Sequence, residues 1–340
     1  MIGPLPRPLV IGHRGAPGYR PEHSAASYRL AFELGADLVE PDIVATSDGV
    51  LVVRHENEIS GTTDVARHPE FKKRKRTKVV DGNRLTGWFT EDFTWAELST
   101  LRCVERLKRM RPDNREHDGL QPILRLRDVL EIIDDESRRR GRDLGVVVEI
   151  KHAQYFLDNG HDLGALLVAE LAATGWDDRP ERVVVESFEL GVLDRIRGAG
   201  LPASYVFLTE TEGAPADEPL GGEPKRDYGW YRSDDGLDLL ARRVDGISVA
   251  KGDLIRVDAR GRAVGVTDLV RRAHERGLEV FTWTLRPENR YLSPRYQASL
   301  RPSEWGDWQT EFDLVLSSGV DGIFVDHPDL GLAAREARSV

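Results

Sequence analysis

The chain has 340 residues, 40% of them hydrophobic and 31% charged, a composition that suits one large α/β barrel or two smaller globular domains. Its net charge of −10 argues against a nucleic-acid partner held by an overall basic surface, while leaving room for a local positive pocket. A single cysteine, Cys103, excludes an intrachain disulfide, and no Cys/His cluster suggests zinc.

The first residues, Met1 to Pro8, lack a basic segment followed by a long apolar stretch. No window approaches the ~18 apolar residues of a membrane span. A cytoplasmic chain without a transmembrane segment is expected.

Short apolar runs then alternate with amphipathic segments. Strands are predicted at Leu9–His13, Leu38–Val44, Leu51–Arg54, Val146–Lys151, Val183–Ser187, Ser204–Leu208, Gly246–Ala250, Glu279–Thr284 and Gly322–Val325. Helices are predicted between them, at about Ser24–Leu34, Leu126–Glu136, Leu163–Ala173, Leu190–Arg197, Leu237–Val244, Thr267–Arg276 and Glu311–Leu316. Several stop at a glycine, as helix C-termini do. Unbroken apolar strands alternating with helices imply a parallel sheet covered by helices. The number of units favours a closed (β/α)8 TIM-type barrel over an open sheet. The turn after the first strand also lacks the GxGxxG pattern an open nucleotide-binding sheet would carry.

Nine strand-like runs are one too many for eight walls. Asp48-Gly49 lies between two apolar runs and reads as a two-residue hairpin loop. Leu51–Arg54 would then be an antiparallel arm returning along the second wall. With that loop, opposed residue numbers sum to 97, so Asp42 should face His55 and Glu40 should face Asn57, with side chains ~5 Å apart. Residues 61–120 break the alternation and are expected to be an insertion over one end of a barrel spanning 1–340. This insert carries the basic run Lys72-Lys73-Arg74-Lys75-Arg76, expected to face water, then Trp88 and Phe89, and a helix around Trp95–Leu107. A second irregular stretch, about Thr211 to Ser233, reads as a loop.

Active sites of such barrels lie at the C-terminal ends of the strands. Polar residues gather there: His13 and Arg14; Glu40 and Asp42, with His55 on the return arm; Glu149 and Lys151, two apart and so on one face; then Phe188 and Trp283. Each has a bland alternative. Lys151 could merely neutralise Glu149, Trp283 could fill the core, and His152 should face away. Together they say more. Three carboxylates without a thiolate describe a hard-cation site, one Mg²⁺ or Ca²⁺. Two histidines beside it suit acid/base work near neutral pH, and Arg14 and Lys151 offer donors to a phosphate.

The segments His13-Arg14-Gly15, Pro21-Glu22-His23-Ser24, Glu40-Pro41-Asp42, Asp48-Gly49-Val50 and His55-Glu56-Asn57 resemble the opening of the glycerophosphodiester phosphodiesterase family. Val148-Glu149-Ile150-Lys151, Ser187-Phe188, Thr282-Trp283-Thr284 and the run from Val320 to Pro328 resemble its later landmarks in the same order. The resemblance spans about residues 9 to 330. It implies a (β/α)8 barrel hydrolysing a small-molecule glycerophosphodiester to sn-glycerol 3-phosphate and an alcohol. It also implies His13 and His55 as the acid/base pair, Glu40, Asp42 and Glu149 around the cation, and Arg14 and Lys151 on the phosphate. His23 and Glu56 depart from the commonest family form, in which Asn and Asp stand. Two rivals are a phospholipase D-like hydrolase of lyso- or sphingolipids, needing an apolar rim, and a barrel that only binds polyol phosphates.

Overall fold

The computed structural model describes residues 7–219 and 224–338. Residues 1–6 and part of the second irregular stretch, 220–223, lie outside the described residues. Among the described residues fourteen strands follow one another, and eight walls of them close a barrel. The first wall is β1 (Leu9–His13). The second is β2 (Leu38–Glu40) continued by β3 (Asp42–Ala45), with β4 (Leu51–Val53) returning antiparallel along β3. The hairpin β5 (Arg76–Val80) and β6 (Asn83–Gly87) belongs to the insert. The walls resume with β7 (Gly145–Ile150), β8 (Val183–Ser187), β9 (Ser204–Thr209) and β10 (Gly246–Ala250). After a small hairpin of β11 (Ile255–Val257) and β12 (Ala263–Val266), β13 (Glu279–Leu285) and β14 (Gly322–Val325) complete the circle, and β14 pairs parallel with β1. Neighbouring walls all run parallel.

The expected strand 38–44 is broken at Pro41, which has no N–H to donate. β2 therefore pairs with β1 and β7, whereas β3 keeps β7 and takes β4 as its other neighbour. The register between this wall and β7 is continuous across the proline: Leu38 faces Gly145 and Asp42 faces Glu149.

The hairpin forms, but not in the predicted register. Thr46 and Val50 close a three-residue loop, with Thr46 N donating to Val50 O and Gly49 N to Thr46 O, both at 3.0 Å. Gly49 has φ +76°, the left-handed residue that follows a tight turn in loops of this length. Opposed numbers consequently sum to 96, as in Ile43 with Val53, and Arg54 rather than His55 stands across from Asp42.

Side-chain alternation divides the barrel interior into two layers. Leu9, Ile11, Leu38, Val147, Val184, Val206, Phe281 and Phe324 pack a closed apolar plug. Two residues further along the same strand faces come His13, Glu40, Glu149 and Glu186. One layer is oil and the next is charge. Outside the strands a larger apolar shell packs the helices, among them Leu126–Arg140, Leu163–Thr174 and Leu190–Gly198, onto the walls. Helix Ala25–Glu33 begins where Ser24 Oγ accepts from Ser27 N at 3.2 Å.

Within residues 61–120, Phe71, Trp88, Phe93 and Leu98 join the apolar shell of the barrel. Lys72, Lys73, Lys75 and Arg76 are exposed, whereas Arg74 is half-buried, 2.5 Å from Glu97 and 5.0 Å above the Phe93 ring. The expected helix around Trp95–Leu107 is only Trp95–Leu98, because the chain then bridges to Thr63 and Pro122 in extended form. Cys103 is buried and takes an Arg54 Nη2 donor at 3.0 Å. Among the described residues no helix is long and apolar enough to cross a membrane.

Candidate active site

The charged layer forms the floor of a cavity of about 390 Å³ at the C-terminal end of the barrel. Strand register alone assembles its acids. β1 and β2 pair His13 with Glu40, β3 and β7 pair Asp42 with Glu149, and β7 and β8 pair Glu149 with Glu186. Ligand oxygens of Glu40, Asp42 and Glu149 lie within 4.8 Å of one another, and all three residues are buried.

Such crowding distorts the titration of each acid. Burial, reinforced by Asp42 and Glu149, holds Glu40 well above the usual carboxylate range. Burial and the Asp42 charge push Glu149 up to about 8, against the pull of Lys151. Asp42 goes the other way. Burial would raise it, but Lys151, Arg14 and His23 hold it well below its ordinary value. Lys151 Nζ lies 2.6 Å from Glu149 Oε1 and 3.2 Å from Asp42 Oδ1, and Arg14 Nε lies 3.1 Å from Asp42 Oδ2. Glu40 accepts the Arg14 backbone N–H on Oε2 at 2.8 Å, leaving Oε1 buried without a hydrogen-bond partner.

Arg14 owes its position to a left-handed turn. Its φ is +58° and that of Gly15 is +93°; a Cβ on Gly15 would lie 2.6 Å from the Ser27 carbonyl carbon. This turn directs the guanidinium between Glu22 and Asp42.

The two histidines flank the acids. His13 Nδ1 lies 2.7 Å from Asp326 Oδ1 at the end of β14, so an Nδ1–H donor leaves Nε2 as the second ring nitrogen. His55 Nδ1 lies 3.0 Å from Glu56 Oε1. Burial, with Arg14 next, lowers both rings to about 3. His55 thus reaches the cavity although the strand register does not put it opposite Asp42. Phe188 and Trp283 also line the cavity, in edge-to-face contact with ring centroids 5.8 Å apart.

All nine predicted site residues converge on this one region. His152 corrects the expectation that it faces away. Its φ of +53° ends the strand alternation, and its ring lies against the cavity between Glu56 Oε2 at 2.9 Å and Asp81 Oδ2 at 2.5 Å. Burial alone would lower it, but these two carboxylates raise it to about 9. Sequence reasoning also passed over His23, Glu186 and Asp326. His23, fully buried, links Asp42 to the Tyr28 hydroxyl at 2.8 and 2.7 Å. Glu186 could have been found, since it shares with Val184 the inward face of a buried strand.

Residues 13–330 match the glycerophosphoryl diester phosphodiesterase family. The glycerophosphodiester phosphodiesterase GDPD6 of Arabidopsis thaliana is 32% identical, over 94% of this chain and 84% of that one. The glycerophosphodiester phosphodiesterase of Haemophilus influenzae is 26% identical, over 95% of this chain and 88% of that one. Among solved structures, a phosphodiesterase of Oleispira antarctica in complex with the product sn-glycerol-3-phosphate superposes with a TM-score of 0.62 at 18% identity, covering 97% of both chains. A glycerophosphodiester phosphodiesterase of Agrobacterium tumefaciens gives 0.58 at 18% identity, over 96% of this chain and 99% of that one. Fold and sequence agree over almost the whole length: the chain belongs to the glycerophosphoryl diester phosphodiesterase family.

Proposed function

We propose that the chain hydrolyses glycerophosphodiesters to sn-glycerol 3-phosphate and an alcohol, with one divalent cation, Mg²⁺ or Ca²⁺, held by Glu40, Asp42 and Glu149. The observation that carries this reading is the buried triad, in which three acid ligands crowd within 4.8 Å and Glu40 Oε1 has no partner. Oxygen donors of this kind suit a hard cation. When bound, such an ion neutralises charge on the phosphate oxygens.

The remaining residues divide the work. Arg14 and Lys151 bind the phosphate, and their charges are already fixed by Asp42 and Glu149. One of His13 and His55 takes a proton from the attacking oxygen of water or of a neighbouring substrate hydroxyl. The other protonates the departing alkoxide, a poor leaving group until it is neutral. Both rings are low in the protein alone because burial and Arg14 disfavour the imidazolium. An anionic diester beside them offsets the Arg14 charge and raises both. Phe188 and Trp283 wall the substrate. The product-bound relative from Oleispira antarctica supports sn-glycerol 3-phosphate as the retained product.

The test is release of sn-glycerol 3-phosphate from glycerophosphocholine, with and without EDTA. Turnover should vanish in EDTA and return with Mg²⁺ or Ca²⁺. Full turnover in EDTA would remove the cation from the reading, and absence of product under every condition would remove the hydrolase.

A further inference from the structure

The cavity changes character away from the triad. Its inner end holds the phosphate-binding cations Arg14 and Lys151. Its outer part is built from aromatic rings and acids. Phe188 sits between Trp283, at 5.8 Å and 85°, and Tyr228, at 6.1 Å and 75°, so three rings form a continuous edge-to-face wall. Asp81, Glu189, Glu210 and Glu212 line the same space. Two cations face this part of the lining: His152, whose two nitrogens are taken by Glu56 and Asp81, and Lys151, which is paired with Glu149 and Asp42 and lies 5.6 Å from the Phe188 ring centroid.

We propose that this outer part is a head-group subsite for an alcohol bearing an ammonium group, so that diesters with a quaternary or primary ammonium are the preferred substrates. The proposal rests on the phosphodiesterase reading above and specifies its leaving alcohol.

Three features support it. Ring faces and carboxylates attract a cation that has shed its water, even one with no N–H to donate. A neutral polyol can donate its hydroxyls to these carboxylates but leaves their charge uncompensated, and an anionic alcohol would meet a wall of like charge. The surface is also fixed in place. Arg232 donates to the carbonyls of Glu210 and Thr211, and Tyr228 N donates to Gly213 O at 2.9 Å. On the floor, Glu186 is only 1% exposed, lines the cavity, and has an Oε2 without a hydrogen-bond partner, so it leaves an open oxygen on the same lining.

The experiment compares kcat/KM for glycerophosphocholine, glycerophosphoethanolamine, glycerophosphoinositol and glycerophosphoglycerol in the full chain with Mg²⁺ or Ca²⁺. The two ammonium diesters should lead the two polyol diesters by about tenfold, the size expected of one partly desolvated cation site. In the double variant Glu210→Gln, Glu212→Gln that lead should shrink severalfold. Choline should compete with glycerophosphocholine in the native chain and compete more weakly in the variant. Equal kcat/KM for all four substrates would overturn the subsite while leaving the phosphodiesterase intact. No turnover of any would overturn both.

Discussion

Arg111 reaches out of the insert to place its Nη2 2.6 Å from Asp326 Oδ2, while the other oxygen of that carboxylate holds His13 Nδ1 at 2.7 Å. Arg286 adds a third contact at 2.6 Å, and Arg111 Nε is anchored in turn on Glu288 at 2.8 Å. The imidazole is thus oriented by an acid that is itself fixed by two arginines, and those arginines hold Asp326 well below its ordinary range although burial opposes them.

Asp326→Asn should keep the fold and lower kcat by roughly 10²- to 10⁴-fold, because the amide can present its NH₂ to Nδ1 and favour the wrong tautomer. KM should change little. Stopped assays of glycerophosphocholine hydrolysis, alongside a circular dichroism melt, decide it. A kcat within twofold of wild type would show that the contact is ornamental.

Replacing Glu40, Asp42 or Glu149 by Ala should cut turnover by orders of magnitude while the barrel still folds. The cation provides a second readout. A ligand at about 100 times its Kd stabilises a protein by roughly 2.7 kcal/mol. Saturating Mg²⁺ or Ca²⁺ should therefore raise the Tm of the native chain and leave that of Glu149→Gln almost unmoved. Equal rises in both would exclude Glu149 from the cation site.

His152 gives a pH signature. Its folded value, about 9, lies above the ordinary 6.5, so the stability it contributes is complete below 6.5 and is lost as pH rises through 9. The Tm deficit of His152→Gln should be largest near pH 6 and close by pH 10. Protection of the β5–β6 turn amides, relative to their intrinsic exchange at each pH, should fall over the same window, since Asp81 is released there. A deficit that is constant with pH would contradict the ion-pair account.

The basic run of the insert divides in two. Neutralising Lys72, Lys73, Lys75 and Arg76 should lower kcat/KM for anionic diesters by roughly twofold at low ionic strength and scarcely at high, with kcat unchanged. Arg74→Gln should instead cost stability, because it breaks the Glu97 pair and the stacking on Phe93. A large fall in kcat for the four-residue variant at every salt concentration would mean that the run acts inside the cavity.

Most of the barrel was legible because each wall is a short apolar run bounded by a helix with visible stop signals, as at Gly175, which caps Leu163–Thr174 with φ +68°. The candidate site was legible because period-two alternation places its acids beyond inward-facing Leu38 and Val147. The hairpin register was not. Asp48-Gly49 looks the same in a two-residue loop and in a three-residue loop ending in a left-handed glycine, and one residue of difference moves Arg54 into the place expected for His55. His152 was misread because the left-handed turn that redirects it has no local sequence mark. Asp326 stood in a recognised motif, but its partners His13 and Arg111 lie 313 and 215 residues away, beyond the reach of any spacing rule.

The pairing of β14 with β1 has a consequence for biosynthesis. His13 lies on the first wall to leave the ribosome and its orienting acid on the last. No growing chain can possess a fixed His13 until Asp326 has emerged and the circle has shut. On the role proposed for His13, turnover is a direct reporter of ring closure, and a refolding experiment that follows it should register the final seam rather than the earlier collapse of the walls.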